Sequence, residues 1–146
     1  MDLRYELVRD GPVASADLEG LRASVGWDAD RAESRYDEIL ARSYTHYAVH
    51  SHGRLIAFVS VLSDGIADAF LLDLMVHPDF QRQGIGRALV RRAVSDLTAE
   101  GIRAIQVTFA QELEGFYRKC GFHVFGGGII DNGPRARGAG YPPHTE

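Results

Sequence analysis

Two glycines, Gly84 and Gly86, stand between an apolar run and a run of helical period, with Arg82, Gln83 and Arg87 beside them. At a helix start the first backbone N–H groups have no partner within the helix and the dipole is positive, so the position attracts an anion, above all a phosphate. Glycine lets the backbone come within hydrogen-bond reach of such a ligand. Two familiar phosphate loops do not fit. A P-loop needs Lys then Ser or Thr after its last glycine, whereas Gly86 is followed by Arg87 and Ala88. A dinucleotide fingerprint needs a third glycine where Leu89 stands and an acid about 20 residues on, near Gln106. The alternative to an anion site is a tight turn with no ligand, a reading the flanking arginines weaken.

A second set of reactive side chains lies just upstream. Asp73 interrupts the otherwise apolar stretch "AFLLDLMVHP", and a buried carboxylate is costly without a partner. It is bonded to a neighbouring backbone group or arginine, or it serves as a base or an anchor for a cationic amine. His77 follows on the same face and reads as a polar strand end. Cys120 is the only cysteine, so it forms no intrachain disulfide and supplies no structural zinc site; a small core residue is the expected role. His46, His50, His52, His123 and His144 lack an acid at metal-ligand spacing, so no metal is expected.

These residues need elements to hold them. Alternation over Leu3 to Val8 predicts a strand ended by Gly11-Pro12, and two helices follow: Ala16 to Ser24, then one capped by Asp28 or Asp30 that turns Tyr36, Ile39 and Leu40 inward. Thr45 to His50 and Leu55 to Leu62 predict a hairpin about Gly53. The run ending at Pro78 predicts a strand covered on both faces. Ile85, Ala88, Leu89, Ala93 and Leu97 mark a helix closed by Gly101. "RAIQVTF" predicts a strand, Gln111 to Lys119 a helix, and "FHVFGGGII" a last strand. The order implies an α/β or α+β layer with helices on a mixed sheet. Residues 1–130 are expected to form one domain and 131–146 a flexible tail rich in Gly, Pro and Arg.

The chain of 146 residues carries a formal charge of -4 with its basic residues scattered apart from the group at Arg82, Arg87, Arg91 and Arg92, which argues against nucleic acid as a partner. No apolar run approaches the ~20 residues of a membrane span, and the charged start "MDLRYELVRD" is unlike a secretory signal, so a cytoplasmic protein is expected.

With its flanks, the glycine turn resembles the GCN5-related N-acetyltransferase (GNAT) superfamily, in which a strand L-x-V-x-P leads into Q/R-x-x-G-x-G/A. Here those positions are Leu74, Val76, Pro78, then Gln81, Gly84 and Gly86; a second signature appears as "FYRKCGF", with Tyr117, Gly121 and Phe122. The resemblance runs from about Tyr47 to Phe125. It implies a mixed, mostly antiparallel sheet splayed between its fourth and fifth strands and flanked by about four helices, with acetyl-CoA as acyl donor. It also implies that the backbone of Leu74, Met75 and Val76 pairs with pantetheine and that Arg82, Gln83, Gly84, Ile85, Gly86 and Arg87 hold the pyrophosphate. A backbone N–H near Met75 would meet the oxyanion and Tyr117 would act as general acid toward the coenzyme sulfur. The glutamates that serve as bases in relatives are replaced by Phe70 and Ile105, and an asparagine that touches pantetheine by Ala110. Asp73 is then the acid left near the splay. Trp27, Tyr36, Tyr44 and Phe70 are candidates for walling an amine pocket. The implied activity is transfer to a primary amine of a small molecule in a ternary complex, by a monomer or homodimer. The alternatives are a peptide or protein acetyltransferase, N-terminal or lysine-directed, and an acyl-CoA-binding module without catalysis.

Overall fold

The computed structural model describes residues 4–27 and 35–132. The caps expected at Asp28 and Asp30, and the tail apart from Asp131 and Asn132, lie outside the described residues.

Five strands form one sheet in sequence order: β1 (Tyr5–Arg9), β2 (Thr45–Ser51), β3 (Arg54–Ser63), β4 (Asp68–Val76) and β5 (Ala104–Val107). The first three pairings are antiparallel and β4–β5 is parallel. The β2–β3 hairpin turns on His52 and Gly53, at φ 50° and 75°, the paired positive angles of a two-residue turn that matches strand twist. The β4–β5 crossover is the amphipathic α3 (Ile85–Ala99), with Gly101 at φ 90° just beyond its end, as its spacing predicts. α1 (Ser15–Ser24), α2 (Tyr36–Arg42) and α4 (Glu114–Lys119) complete the helices.

Strand alternation sorts the apolar residues into two cores. Tyr47, Val49, Ile56, Val59 and Leu71 face Ile85, Leu89, Val90, Ala93 and Leu97 of α3. Ala48, Phe58 and Met75 point the other way, onto Leu18 and Leu21 of α1 and Tyr36 of α2. Both faces are thereby covered only where helices lie over them.

Three expectations need correction. β4 is not sealed on both faces, since Phe70 is exposed and Leu72, Asp73 and Leu74 are half-buried. The helix expected over Gln111–Lys119 divides into a 3-10 turn (Gln111–Leu113) and the short α4. The segment 122–132, expected to begin with a strand, has no regular structure, and Phe125 and Ile130 are exposed. Its Gly126, Gly127 and Gly128 bring no side chain to pack and lose the most backbone freedom on ordering, which outweighs the strand propensity of its Val, Phe and Ile.

Candidate functional site

The site begins as a fault in the sheet. Phe58 pairs with Met75 and Ser60 with Leu72, so Asp73 and Leu74 together oppose Val59 alone: a β-bulge. Asp73 takes the extra residue's strain, at φ 55°. Aspartate is among the few residues that tolerate this left-handed region, so backbone geometry is one reason an acid interrupts the apolar run.

Among the described residues β4 pairs with β5 only from Asp68 to Leu71, after which the two diverge. The His77 N–H donates to Ile56 O at 2.8 Å. Alternation back along the strand turns the Met75 N–H to β3 as well, and the amides of Leu74 and Val76 into the gap. The oxyanion donor expected near Met75 is thus not the amide of Met75 itself, whose side chain is fully buried in the α1–α2 core. The groups available to a ligand are those of its two neighbours. The Val76 carbonyl accepts from Gln81 Nε2 at 2.9 Å.

The same end of the sheet carries the glycine turn. After a 3-10 turn at Pro78–Phe80, Arg82 (φ 62°) and Gly84 (φ 83°) are both left-handed, and Gly84 caps α3. Ala88 N is the amide that bonds back to Gly84 O, so those of Ile85, Gly86 and Arg87 precede the helix ladder. Ile85 anchors the helix start in the core, while Arg82, Gln83 and Arg87 stay exposed. A Cβ on Gly86 would sit 3.4 Å from Val76 and 3.5 Å from Phe116, ordinary van der Waals contact, so the packing of α3 on β4 and α4 does not by itself require glycine here. This arrangement suits a phosphate-bearing ligand.

Tyr117 lies on α4, 4% exposed. Its ring stacks on Phe109 at 4.8 Å and meets Phe116 and Phe122 edge-on at 5.0 and 5.6 Å. No hydrogen bond to another described residue satisfies its hydroxyl, which is unusual for a buried tyrosine and leaves a donor for a ligand. Burial pushes its pKa up to about 12. The same burial raises the Cys120 thiol, against the lowering influence of Arg87 and Arg91. Phe122 of the second signature clamps Tyr117 together with Phe109, which carried no signal in the sequence beyond its aromaticity.

The raised phenol has a consequence for stability. The folded state holds the Tyr117 proton to higher pH than an unfolded chain, whose phenol titrates near 10. The stabilisation is complete below pH 10 and is lost as pH rises toward 12, the two-unit shift corresponding to ~2.7 kcal/mol. Tyr47, buried and donating to Asp96 at 3.0 Å, is raised further and acts in the same sense. Denaturant midpoints should therefore fall between pH 10 and 11.5. The fall should be shallower in Tyr117→Phe, and an equal fall in both proteins would contradict the assignment.

Asp73 has the arginine partner that was one of its two expected explanations, although the sequence did not say which arginine. Arg22 of α1 places Nη1 4.0 Å from Asp73 Oδ1, with side-chain exposures of 9% and 26%. The Arg22 guanidinium also lies over the Trp27 ring at 5.2 Å and reaches Tyr36 Oη at 3.4 Å. The signal was present: Arg22 stands four residues after Leu18, on the buried face of α1. The four proposed aromatic wall residues do not form one surface. Trp27 and Tyr36 belong to the Arg22 cluster, Tyr44 lies under Gly65, and Phe70 borders an open cleft of about 660 Å³ along β5 that Phe109, Phe122 and Phe125 also line. His77 is the polar strand end expected of it. Its Nε2 lies 3.0 Å from Arg54 Nη2, its Nδ1 accepts from Asp79 N at 3.1 Å, and its ring meets Phe80. Ala110 precedes the 3-10 turn ahead of α4, and Ile105 lies on β5 with Phe70 opposite Gln106 across the parallel pair.

Comparison with known proteins places this geometry. Residues 42–124, more than half of the chain, match the model of the acetyltransferase (GNAT) domain. A protein of Oryza sativa subsp. japonica named serotonin N-acetyltransferase 2, chloroplastic, is 35% identical over 96 residues, covering 60% of this chain and 48% of its own. A Glycine max protein named histone acetyltransferase TAP1 is 32% identical over 130 residues, covering 82% of this chain and 56% of its own. The chain thus spans about half the length of these relatives. Among solved structures, a GNAT family acetyltransferase from Streptococcus pneumoniae TIGR4 superposes with a TM-score of 0.70 at 24% identity, covering 88% of this chain and 99% of the other. Glucosamine-6-phosphate N-acetyltransferase from Arabidopsis thaliana gives 0.69 at 15% identity, covering 87% and 97%. At these identities the superpositions speak for the fold alone.

Proposed function

Because the chain belongs to the GNAT acetyltransferase family, we propose that it transfers an acetyl group from acetyl-CoA to a primary amine of a small molecule, by direct transfer in a ternary complex. The observation that carries this reading is the bulge at which β4 parts from β5, beside the turn that opens α3, together with a buried Tyr117 on α4 whose hydroxyl has no partner among the described residues. Acetyl-CoA brings the activated acyl group. The chain has to supply a neutral amine, donors for the developing oxyanion and support for the departing sulfur.

The Leu74 N–H, in the bulge, is the donor proposed for the oxyanion, and Val76 pairs with the pantetheine arm. The turn from Arg82 to Arg87 holds the diphosphate with its amides and two guanidinium groups. Arg82→Ala or Arg87→Ala should each weaken coenzyme A binding by on the order of 10- to 100-fold, the size of one charge-assisted contact. Calorimetric titration measures this, and unchanged affinity in both variants would remove the diphosphate from this loop.

Tyr117 donates to the sulfur. A thiol near 8.5 is a weaker base than a phenol at about 12, so full proton transfer is uphill by ~3.5 units, or ~5 kcal/mol, when the sulfur is solvated. Where water is excluded that difference narrows, because desolvation penalises the thiolate. Tyr117 therefore stabilises the thiolate as it forms and passes its proton late. Asp73, held by Arg22, is proposed to receive or steer the proton of the ammonium.

A small amine is favoured because α1 and α2 pack over the bulge through Leu18, Leu21 and Tyr36, leaving Asp73 only partly exposed. The relatives' names include both a serotonin and a histone acetyltransferase, so the test must span both classes. A panel of arylalkyl and aliphatic amines, N-terminal peptides and lysine peptides is incubated with acetyl-CoA while free thiol is followed. Turnover of small amines alone supports the reading, turnover of peptides alone replaces it with a protein acetyltransferase, and coenzyme binding without turnover of anything points to a binding module.

A further inference from the structure

The first strand reaches the proposed coenzyme loop. Tyr5 of β1 is half-buried against the α3-side core, at the end of the sheet where Ser51 and Arg54 close the hairpin and β4 runs out. Its hydroxyl donates to Gln83 Oε1 at 2.5 Å, across 78 residues of sequence. Its ring meets Phe80 edge-on at 6.2 Å, and Phe80 also meets His77 at 6.0 Å.

Gln83 stands between the two left-handed residues of the turn, Arg82 at φ 62° and Gly84 at φ 83°. Gly84 adopts that angle freely, whereas an arginine there persists only where its surroundings over-determine it. Two side-chain bonds supply that constraint: Gln81 to the Val76 carbonyl, which ties the turn to β4, and Gln83 to Tyr5, which ties it to β1. Without the second, the stretch between Phe80 and the buried Ile85 is held at one end only.

We infer that Tyr5 is a positioning residue for the coenzyme loop: by fixing Phe80 and Gln83 it presets the turn whose amides meet the diphosphate, without itself touching the ligand. The inference rests on the acetyl-CoA reading above and adds to it a role for β1, which lies outside the matched family region. Its signature is an effect confined to the diphosphate part of the coenzyme.

The test titrates the parent, Tyr5→Phe, Gln83→Ala and the double variant with coenzyme A and with pantetheine, which lacks the diphosphate. Tyr5→Phe keeps the ring and its Phe80 contact, so melting temperature should hold. Its coenzyme A affinity should fall roughly 3- to 10-fold, the range of one lost neutral hydrogen bond, while pantetheine affinity stays at the parental value. The double variant should bind no more weakly than Gln83→Ala, because both changes break one bond. Parental coenzyme A affinity in Tyr5→Phe, or an equal loss toward pantetheine, overturns the inference and leaves the coenzyme reading standing. A parent that binds neither probe overturns both.

Discussion

Tyr117→Phe should lower the turnover number by roughly 10²-fold on any accepted amine, the usual scale for one positioned proton donor, with coenzyme affinity nearly unchanged. The substitution is clean because the ring packs against Phe109, Phe116 and Phe122 while the hydroxyl makes no hydrogen bond to a described residue. A phenylalanine fills the same clamp, and no described group loses a hydrogen bond. Stability at neutral pH should therefore hold or rise slightly, since a buried hydroxyl without a protein partner is removed. With the phenol at about 12, Tyr117 stays protonated throughout the working range, so the loss should be the same from pH 6 to 9. Solvent isotope effects give a second reading. If the proton passes late, as the gap between phenol and thiol requires, the parent should show an effect that the variant lacks. Parental turnover in the variant would mean that the thiolate leaves unaided, and the proposed role of Tyr117 would fall.

Much of this site was legible before any coordinates, and the reason is local. Gly84, Pro78 and Gly101 act through their own backbone angles, so the turn, the strand end and the α3 stop follow from single residues and their neighbours. α3 was readable from its period. What escaped was set by distant partners. The Arg22–Asp73 pair joins α1 to β4, and an arginine on an amphipathic helix does not announce which side chain it will meet. The Tyr5–Gln83 bond spans just over half the chain.

The direction of the β4 amides was missed for another reason. Parity from His77 settles it for Leu74 to Val76 once its N–H is seen bonded to Ile56, but counted from the start of the strand it comes out reversed, because the bulge shifts parity between Leu72 and Met75 and no residue type marks it except the left-handed aspartate. Asp73 thus carried two messages, and only the electrostatic one was read. The absent last strand is the converse case. "FHVFGGGII" has the composition of a strand, yet three glycines weaken pairing more than its five Val, Phe and Ile residues support it.

Asp73→Asn separates those two messages. Asparagine tolerates the left-handed angle as aspartate does, so the bulge and the Leu74 amide within it should stay in place, whereas alanine would add ~1–2 kcal/mol of backbone strain. The charge alone is lost. If Asp73 takes up or steers the ammonium proton, turnover should fall by on the order of 10²-fold well below the pKa of the acceptor amine, where every productive encounter requires deprotonation. The deficit should shrink as pH rises and solvent delivers the amine already neutral. A purely structural role predicts otherwise. Arg22, with its guanidinium over Trp27 and near Tyr36, would lose an opposite charge, and the resulting destabilisation would lower activity by the same factor at each pH or not at all. The shape of the ratio between variant and parent across pH 6 to 9.5, rather than its size at one pH, is therefore the deciding measurement. A flat ratio assigns Asp73 to holding the bulge and Arg22 in register and leaves deprotonation to water. A ratio that climbs with pH makes the acid at the bulge the group that readies the amine for attack.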